Sequence, residues 1–231
     1  MIKAILWDID GTILDFKQAE YYGMKNCFVH FGLGECTDEM IQRYSDINNK
    51  YWELLELGEI EKEKVFTERF REFFETEGIT FTQFEEFHLE YRRQLKDIVI
   101  FRDNGYELIK ELKGKIRQYA VTNGSYSVQK YKLEKAGLKE LFDDCFISDQ
   151  IGVEKPNVEF FNYVKKAIGD IKDSEMIIVG DSLTSDMRGG NNAGILCCWY
   201  NPSEKENTKD VKMDFEIKSL WDIKKIIFDN E

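Results

Sequence analysis

Ile2-Lys3-Ala4-Ile5-Leu6-Trp7-Asp8-Ile9-Asp10-Gly11-Thr12 is an apolar run that stops abruptly at two carboxylates. Its first part predicts a strand over Ile2–Trp7. The apolar residues run almost without a break, the pattern of a strand covered on both faces. Asp8-Ile9-Asp10-Gly11-Thr12 then falls at the C-terminal end of that strand, where open α/β sheets bind their ligands. Two acids so close together repel each other unless a cation or a chemical role holds them. They can converge on one metal ion or divide the roles of nucleophile and acid. A polar turn is the plainer alternative.

Further along, similar apolar blocks predict strands over Gln118–Thr122, Cys145–Ser148, Met176–Gly180 and Ile195–Tyr200. Between them lie helical stripes: Tyr106, Leu108, Ile109, Leu112; then Val128, Tyr131, Leu133, Leu138; then Phe160, Phe161, Val164, Ile168. Strands alternating with helices predict an α/β fold, a parallel sheet with helices on both faces. Residues 16–99 break the rhythm. They hold no clear strand, are rich in Glu and Lys, and place aromatics at helical intervals, as in Phe66, Phe70, Phe73 and Phe74. This segment is expected to be a helical module inserted after the first strand, its aromatics forming a bundle core. Pro156 fits the first position of a helix.

Three further clusters end predicted strands or start helices. Thr122-Asn123-Gly124-Ser125 offers a hydroxyl and free N–H groups at a helix start, an oxyanion site or a simple turn. Lys155-Pro156 can pin an ammonium against a phosphate as a point charge. Gly180-Asp181-Ser182-Leu183-Thr184-Ser185-Asp186 places an acid after a buried strand; Asp181 could complete an oxygen cage for a hard cation or cap the next helix.

The composition narrows the partners. The 231 residues are 42% apolar and 33% charged, enough for a sizeable core and unlike a disordered chain. With 32 basic against 44 acidic residues the net charge is −12, which argues against a nucleic-acid polymer or an anionic membrane as partner. No stretch reaches the roughly 18 apolar residues of a membrane span. Five cysteines without metal-ligand spacing point to free thiols and a cytoplasmic protein.

Taken in order, Asp8-x-Asp10-Gly11-Thr12, Thr122, Lys155-Pro156 and Gly180-Asp181 with Asp186 resemble the four motifs of the haloacid dehalogenase-like (HAD) phosphohydrolases. The resemblance covers a Rossmann-like core, residues 1–15 and 100–231; the segment 16–99 is similar to the superfamily's C1-type helical cap. It implies Asp8 as nucleophile forming an aspartyl-phosphate and Asp10 as general acid and base. Thr122, Asn123, Gly124 and Lys155 would hold the phosphoryl oxygens. Mg²⁺ would sit on Asp8, the backbone carbonyl of Asp10 and Asp181, with Asp186 behind them. Dehalogenases of the superfamily lack the acid found here at Asp10, so the resemblance implies a phosphatase, although phosphomutases share the motifs. Asp15-Phe16-x-x-Ala19-Glu20 and Cys198-Trp199-Tyr200-Asn201-Pro202 are further similar to bacterial pyrimidine 5′-nucleotidases, implying a nucleoside monophosphate as substrate. The alternatives are a sugar phosphate or phosphoglycolate phosphatase, or a phosphate-binding regulatory module without turnover. His30 and His88 lie in the inserted segment and are assigned no catalytic role.

Overall fold

The computed structural model describes residues 1–228. The chain divides into two compact units: Met1–Asp15 together with the chain from Phe101 onward, and Phe16–Ile100. The first unit carries six strands: β1 (Ala4–Trp7), β2 (Arg117–Thr122), β3 (Asp144–Ile147), β4 (Met176–Gly180), β5 (Leu196–Tyr200) and β6 (Phe215–Ile217). The second is built on α1 (Phe16–Phe31), α2 (Asp38–Glu56), α3 (Lys62–Thr76) and α4 (Phe84–Asp97).

All strand pairs are parallel, in the order β3-β2-β1-β4-β5-β6. The order reverses at β1, so the crevice beyond the ends of β1 and β4 is the ligand position of a doubly wound sheet. Alternation along the strands fills both faces. Leu6, Val121 and Ile178 pack with Phe160, Phe161 and Val164 of α8 (Val158–Ile168) on one side. Ile5, Trp7, Ala120 and Val179 are buried on the other. There Gln118 accepts from Trp7 Nε1 at 3.2 Å and donates to Ile109 O at 2.9 Å, tying the sheet to α5 (Gly105–Leu112). The remaining helices are α6 (Tyr126–Lys135), α7 (Ser148–Ile151), α9 (Arg188–Ala193) and α10 (Ile223–Phe228).

The observed strands differ from the expected ones at their margins. Ser148 starts α7 instead of ending β3. Pro156 follows a cis peptide bond, and α8 begins only at Val158, capped by Asn157 Oδ1 accepting from Glu159 N at 3.0 Å. β6 is an edge strand of three residues that the apolar pattern does not announce. Among the described residues, no helix is long and apolar enough to cross a membrane.

In the helical unit, Phe28, Tyr44, Phe70, Phe73, Phe74, Phe87 and Tyr91 form the centre of one buried cluster. Against it lies a polar string. Asn48 Nδ2 donates to Glu20 Oε1 at 3.0 Å, Arg69 Nη1 donates to Asn48 Oδ1 at 2.5 Å, and His88 stacks on Phe66. Burial pushes the Glu20 carboxyl up to about 7 from the usual 4.5. Burial, helped by Arg69 and Arg92, holds His88 neutral, down to about 3. Between these two values of Glu20 the folded protein keeps a proton that the unfolded chain has released. Its contribution to stability therefore falls as pH rises through that window. Glu20→Gln removes this term, so its stability relative to the parent should improve by about 2 kcal/mol from pH 5.5 to 8.5. Urea denaturation of both proteins at the two pH values measures it; a constant difference would contradict the assignment.

Candidate active site

β1 delivers Asp8 to the crevice. Its N–H donates to Val179 O at 2.9 Å, extending the β1–β4 ladder one residue past the strand. The chain then folds back sharply, with Leu14 N donating to Ile9 O at 2.8 Å and Gly11 N to Leu14 O at 2.8 Å. Gly11 has φ of +102°, and a Cβ there would stand 2.5 Å from Asp181 Oδ1. Glycine is thus required twice, by the backbone and by the carboxylate passing over it. Asp8 is 7% exposed; its Oδ2 accepts from Thr12 Oγ1 at 3.1 Å and its Oδ1 from Lys155 Nζ at 2.9 Å.

Lys155 is 1% exposed, and its three ammonium protons have three acceptors: Asp8 Oδ1, Asp186 Oδ1 at 2.6 Å and Val121 O at 3.0 Å. The lysine is held from behind by Asn123. That side chain donates to Lys155 O at 2.8 Å and accepts from Lys155 N at 2.9 Å. Thr122 is buried at the end of β2 and its hydroxyl oxygen accepts from Gly124 N at 3.3 Å, which leaves the hydroxyl proton to donate.

Asp186 arrives by a wide helical turn over Leu183–Met187, in which Met187 N reaches back to Ser182 O at 3.1 Å. Its Oδ2 accepts from Ser182 N at 3.1 Å and lies against Gly180, where any Cβ would collide with it. Carboxylate oxygens of Asp8, Asp181 and Asp186 all lie within 4.8 Å of one another. Trp199 at the end of β5 braces this group, its indole N–H donating to Asp181 O at 3.0 Å.

The charges are unbalanced. Burial, reinforced by Asp186 and Asp10 and opposed by Lys155, pushes Asp8 up to about 7. Desolvation and the Asp8 charge push Asp181 up to about 6. Asp186 is raised by burial in spite of Lys155. Burial disfavours the Lys155 ammonium, but Asp186 and Asp8 outweigh it and hold the group above the usual lysine range. Three oxygen-donor groups facing each other across a partly dry site, short of positive charge, suit a hard divalent cation.

Asp10 stands apart from this cluster. Its carboxylate is held by Lys132 Nζ at 2.5 Å and by Gln129 Nε2, both on α6 and each 2% exposed. Neither Gln129 nor Lys132 is among the candidate residues that the sequence motifs single out. The available signal was Lys132 itself, a charged residue four positions after Val128 on the apolar stripe of the helix. His30 and His88 belong to the other unit.

Comparisons with known proteins agree with this architecture. A family model described as haloacid dehalogenase-like hydrolase matches residues 5–200. The chain is 34% identical over 230 residues to YfnB of Bacillus subtilis, covering 97% of this chain and 95% of that one. It is 33% identical over 237 residues to the pyrimidine 5′-nucleotidase PynA of Streptococcus pneumoniae, covering 96% and 93%. A magnesium-bound crystal structure of B. subtilis YfnB, which reveals interdomain movement in that protein, superposes with a TM-score of 0.92 at 32% identity over 98% of this chain and 99% of that one. A sheet that gathers these acids and this lysine at its switch point, and a family model spanning most of it, lead to one conclusion: the chain belongs to the haloacid dehalogenase-like hydrolase family.

Proposed function

We propose that the chain is a Mg²⁺-dependent phosphomonoesterase that takes a phosphoryl group onto Asp8 and acts on pyrimidine nucleoside 5′-monophosphates in the cytoplasm. The observation that carries the reading is the position of Asp8 beside Lys155, Asp181 and Asp186 at the switch point of the sheet. Asp8, the Asp10 carbonyl and Asp181 would hold the metal, with Asp186 behind them fixing Lys155. A carboxylate 4 Å from one phosphate charge is repelled by about 4 kcal/mol at an effective dielectric of 20, roughly a thousandfold in rate. Bound Mg²⁺ would offset that repulsion and withdraw charge from the phosphoryl oxygens.

The remaining roles fall to the chain. A carboxylate oxygen of Asp8 attacks phosphorus as the ester P–O bond breaks. The Thr122 hydroxyl donates to the phosphoryl oxygens, as do Lys155 and N–H groups of the Asn123-Gly124 loop once they exchange present acceptors for the substrate. Asp10 gives its proton to the leaving oxygen. It then takes a proton from water as that water attacks phosphorus, the acyl-phosphate bond breaks and the Asp8 carboxylate returns. In this reading the helical unit, residues 16–99, is the cap, and it selects the leaving group.

The nucleotide preference is supported by full-length similarity to a pyrimidine 5′-nucleotidase. It is tested by ranking kcat/KM for dUMP, dTMP and UMP against hexose phosphates, glyceraldehyde 3-phosphate and phosphoglycolate. Pyrimidine nucleotides should lead. A sugar phosphate ahead by about tenfold, a transition-state difference near 1.4 kcal/mol, would replace the nucleotidase reading with a sugar phosphatase.

A further inference from the structure

The carboxylate of Asp10 is gripped from one side by a single helix. Gln129 and Lys132 are three residues apart on α6, hence on one face. Lys132 takes Asp10 Oδ1 and Gln129 takes Oδ2. Both arms are almost fully buried, whereas the Asp10 side chain is 21% exposed. A buried ammonium is costly unless paired, so Lys132 is a strong anchor for whatever faces it. The Gln129 amide is equally committed. It directs its N–H₂ at Asp10 although its own Oε1 is then buried without a partner. Turning the amide over would bring that oxygen against the carboxylate. Gly124 opens the path: a Cβ there would run into the Gln129 side chain.

We propose that Gln129 and Lys132 are positioning residues for the proton transfers of Asp10, a two-point clamp that fixes the orientation of its carboxyl group. A carboxylate has about four lone-pair sites. The clamp takes one on each oxygen and leaves one on each, for the proton that goes to the leaving group and for the proton taken from water. Each residue acts on the reaction through its bond to Asp10. The inference rests on the reading of Asp10 as proton donor and acceptor given above.

The experiment compares an alkyl monoester, whose leaving alkoxide needs a proton, with p-nitrophenyl phosphate, whose leaving group does not. The value of kcat/KM isolates phosphoryl transfer to Asp8 from the later hydrolysis. Lys132→Met should lower kcat/KM for the alkyl ester by about 30-fold and for p-nitrophenyl phosphate by less than about 3-fold. In an Asp10→Asn background the same substitution should change neither ester by more than about 3-fold, because the group it acts through is gone. Gln129→Met alters no charge and covers the case of a poorly folded Lys132→Met. It should give the same pattern at about 5-fold. Equal losses on both esters, or an undiminished loss in the Asp10→Asn background, would overturn the clamp. Asp10→Asn separates the two levels of the argument. If it splits the esters while Lys132→Met and Gln129→Met do not, the clamp alone fails; if it does not split them, the role of Asp10 fails and the clamp with it.

Discussion

Asp8→Asn is expected to abolish phosphomonoester turnover, by about 10⁴-fold or more, as loss of a covalent nucleophile does elsewhere. The same variant should melt, without added metal, at or above the temperature of the parent. Asparagine keeps the shape of the side chain and its amide oxygen can still accept from Lys155. What disappears is one of three acids crowded into one site, where burial already disfavours the ionised form of Asp8. Functional sites commonly sacrifice stability in this way. Phosphate release and thermal unfolding on the same preparation check both halves. Activity within about tenfold of the parent would remove Asp8 from the role of nucleophile.

Lys155→Met should do the reverse to stability. The side chain is of similar length, but the ammonium bonded to both Asp8 and Asp186 is lost and Val121 O loses that donor. Breaking a buried ion network from one side costs about 3–5 kcal/mol. For a chain of this length that is roughly a 10 °C fall in Tm. Catalysis should drop by about 10²–10³-fold, the usual penalty for losing a donor aimed at developing charge. Magnesium should raise the Tm of this variant more than that of the parent, because a bound cation offsets part of the missing charge. Scanning calorimetry with and without magnesium reads this directly. An unchanged Tm would mean that the lysine is not what holds the acids together.

Much of this arrangement was legible in the residues. Asp8 and Asp181 each directly follow a strong apolar strand, so a parallel sheet alone brings them to one edge, whereas Lys155 comes after β3 and α7 and stands out only by its place before Pro156. The buried blocks at β1, β2 and β4 are near-continuous because both faces are covered, and that pattern survives in a single sequence. Other features depend on geometry that periodicity does not encode. β6 buries Ile217 but only half-buries Phe215, and Glu216 between them faces out, so its three residues resemble a loop. The carboxylate of Asp186 reaches Lys155 because the Leu183–Met187 turn is one residue wider than an α-helical turn and passes over Gly180. Lys132 falls on the apolar stripe of α6, but its role is not apparent until Asp10 is placed beside it. The polar string Glu20–Asn48–Arg69 was hidden by the aromatics that dominate the helical segment.

The central claim is that a carboxylate of the first loop receives the phosphoryl group. Acid quenching during turnover of a nucleoside monophosphate, followed by proteolysis and mass spectrometry, tests it without reliance on rates. The account predicts the mass of one phosphoryl group on the peptide containing Asp8, labile to hydroxylamine, assigned to Asp8 by fragmentation and absent from Asp8→Asn. A phosphoryl group on any other residue, or rapid turnover with no covalent species and transfer straight to water, would contradict it.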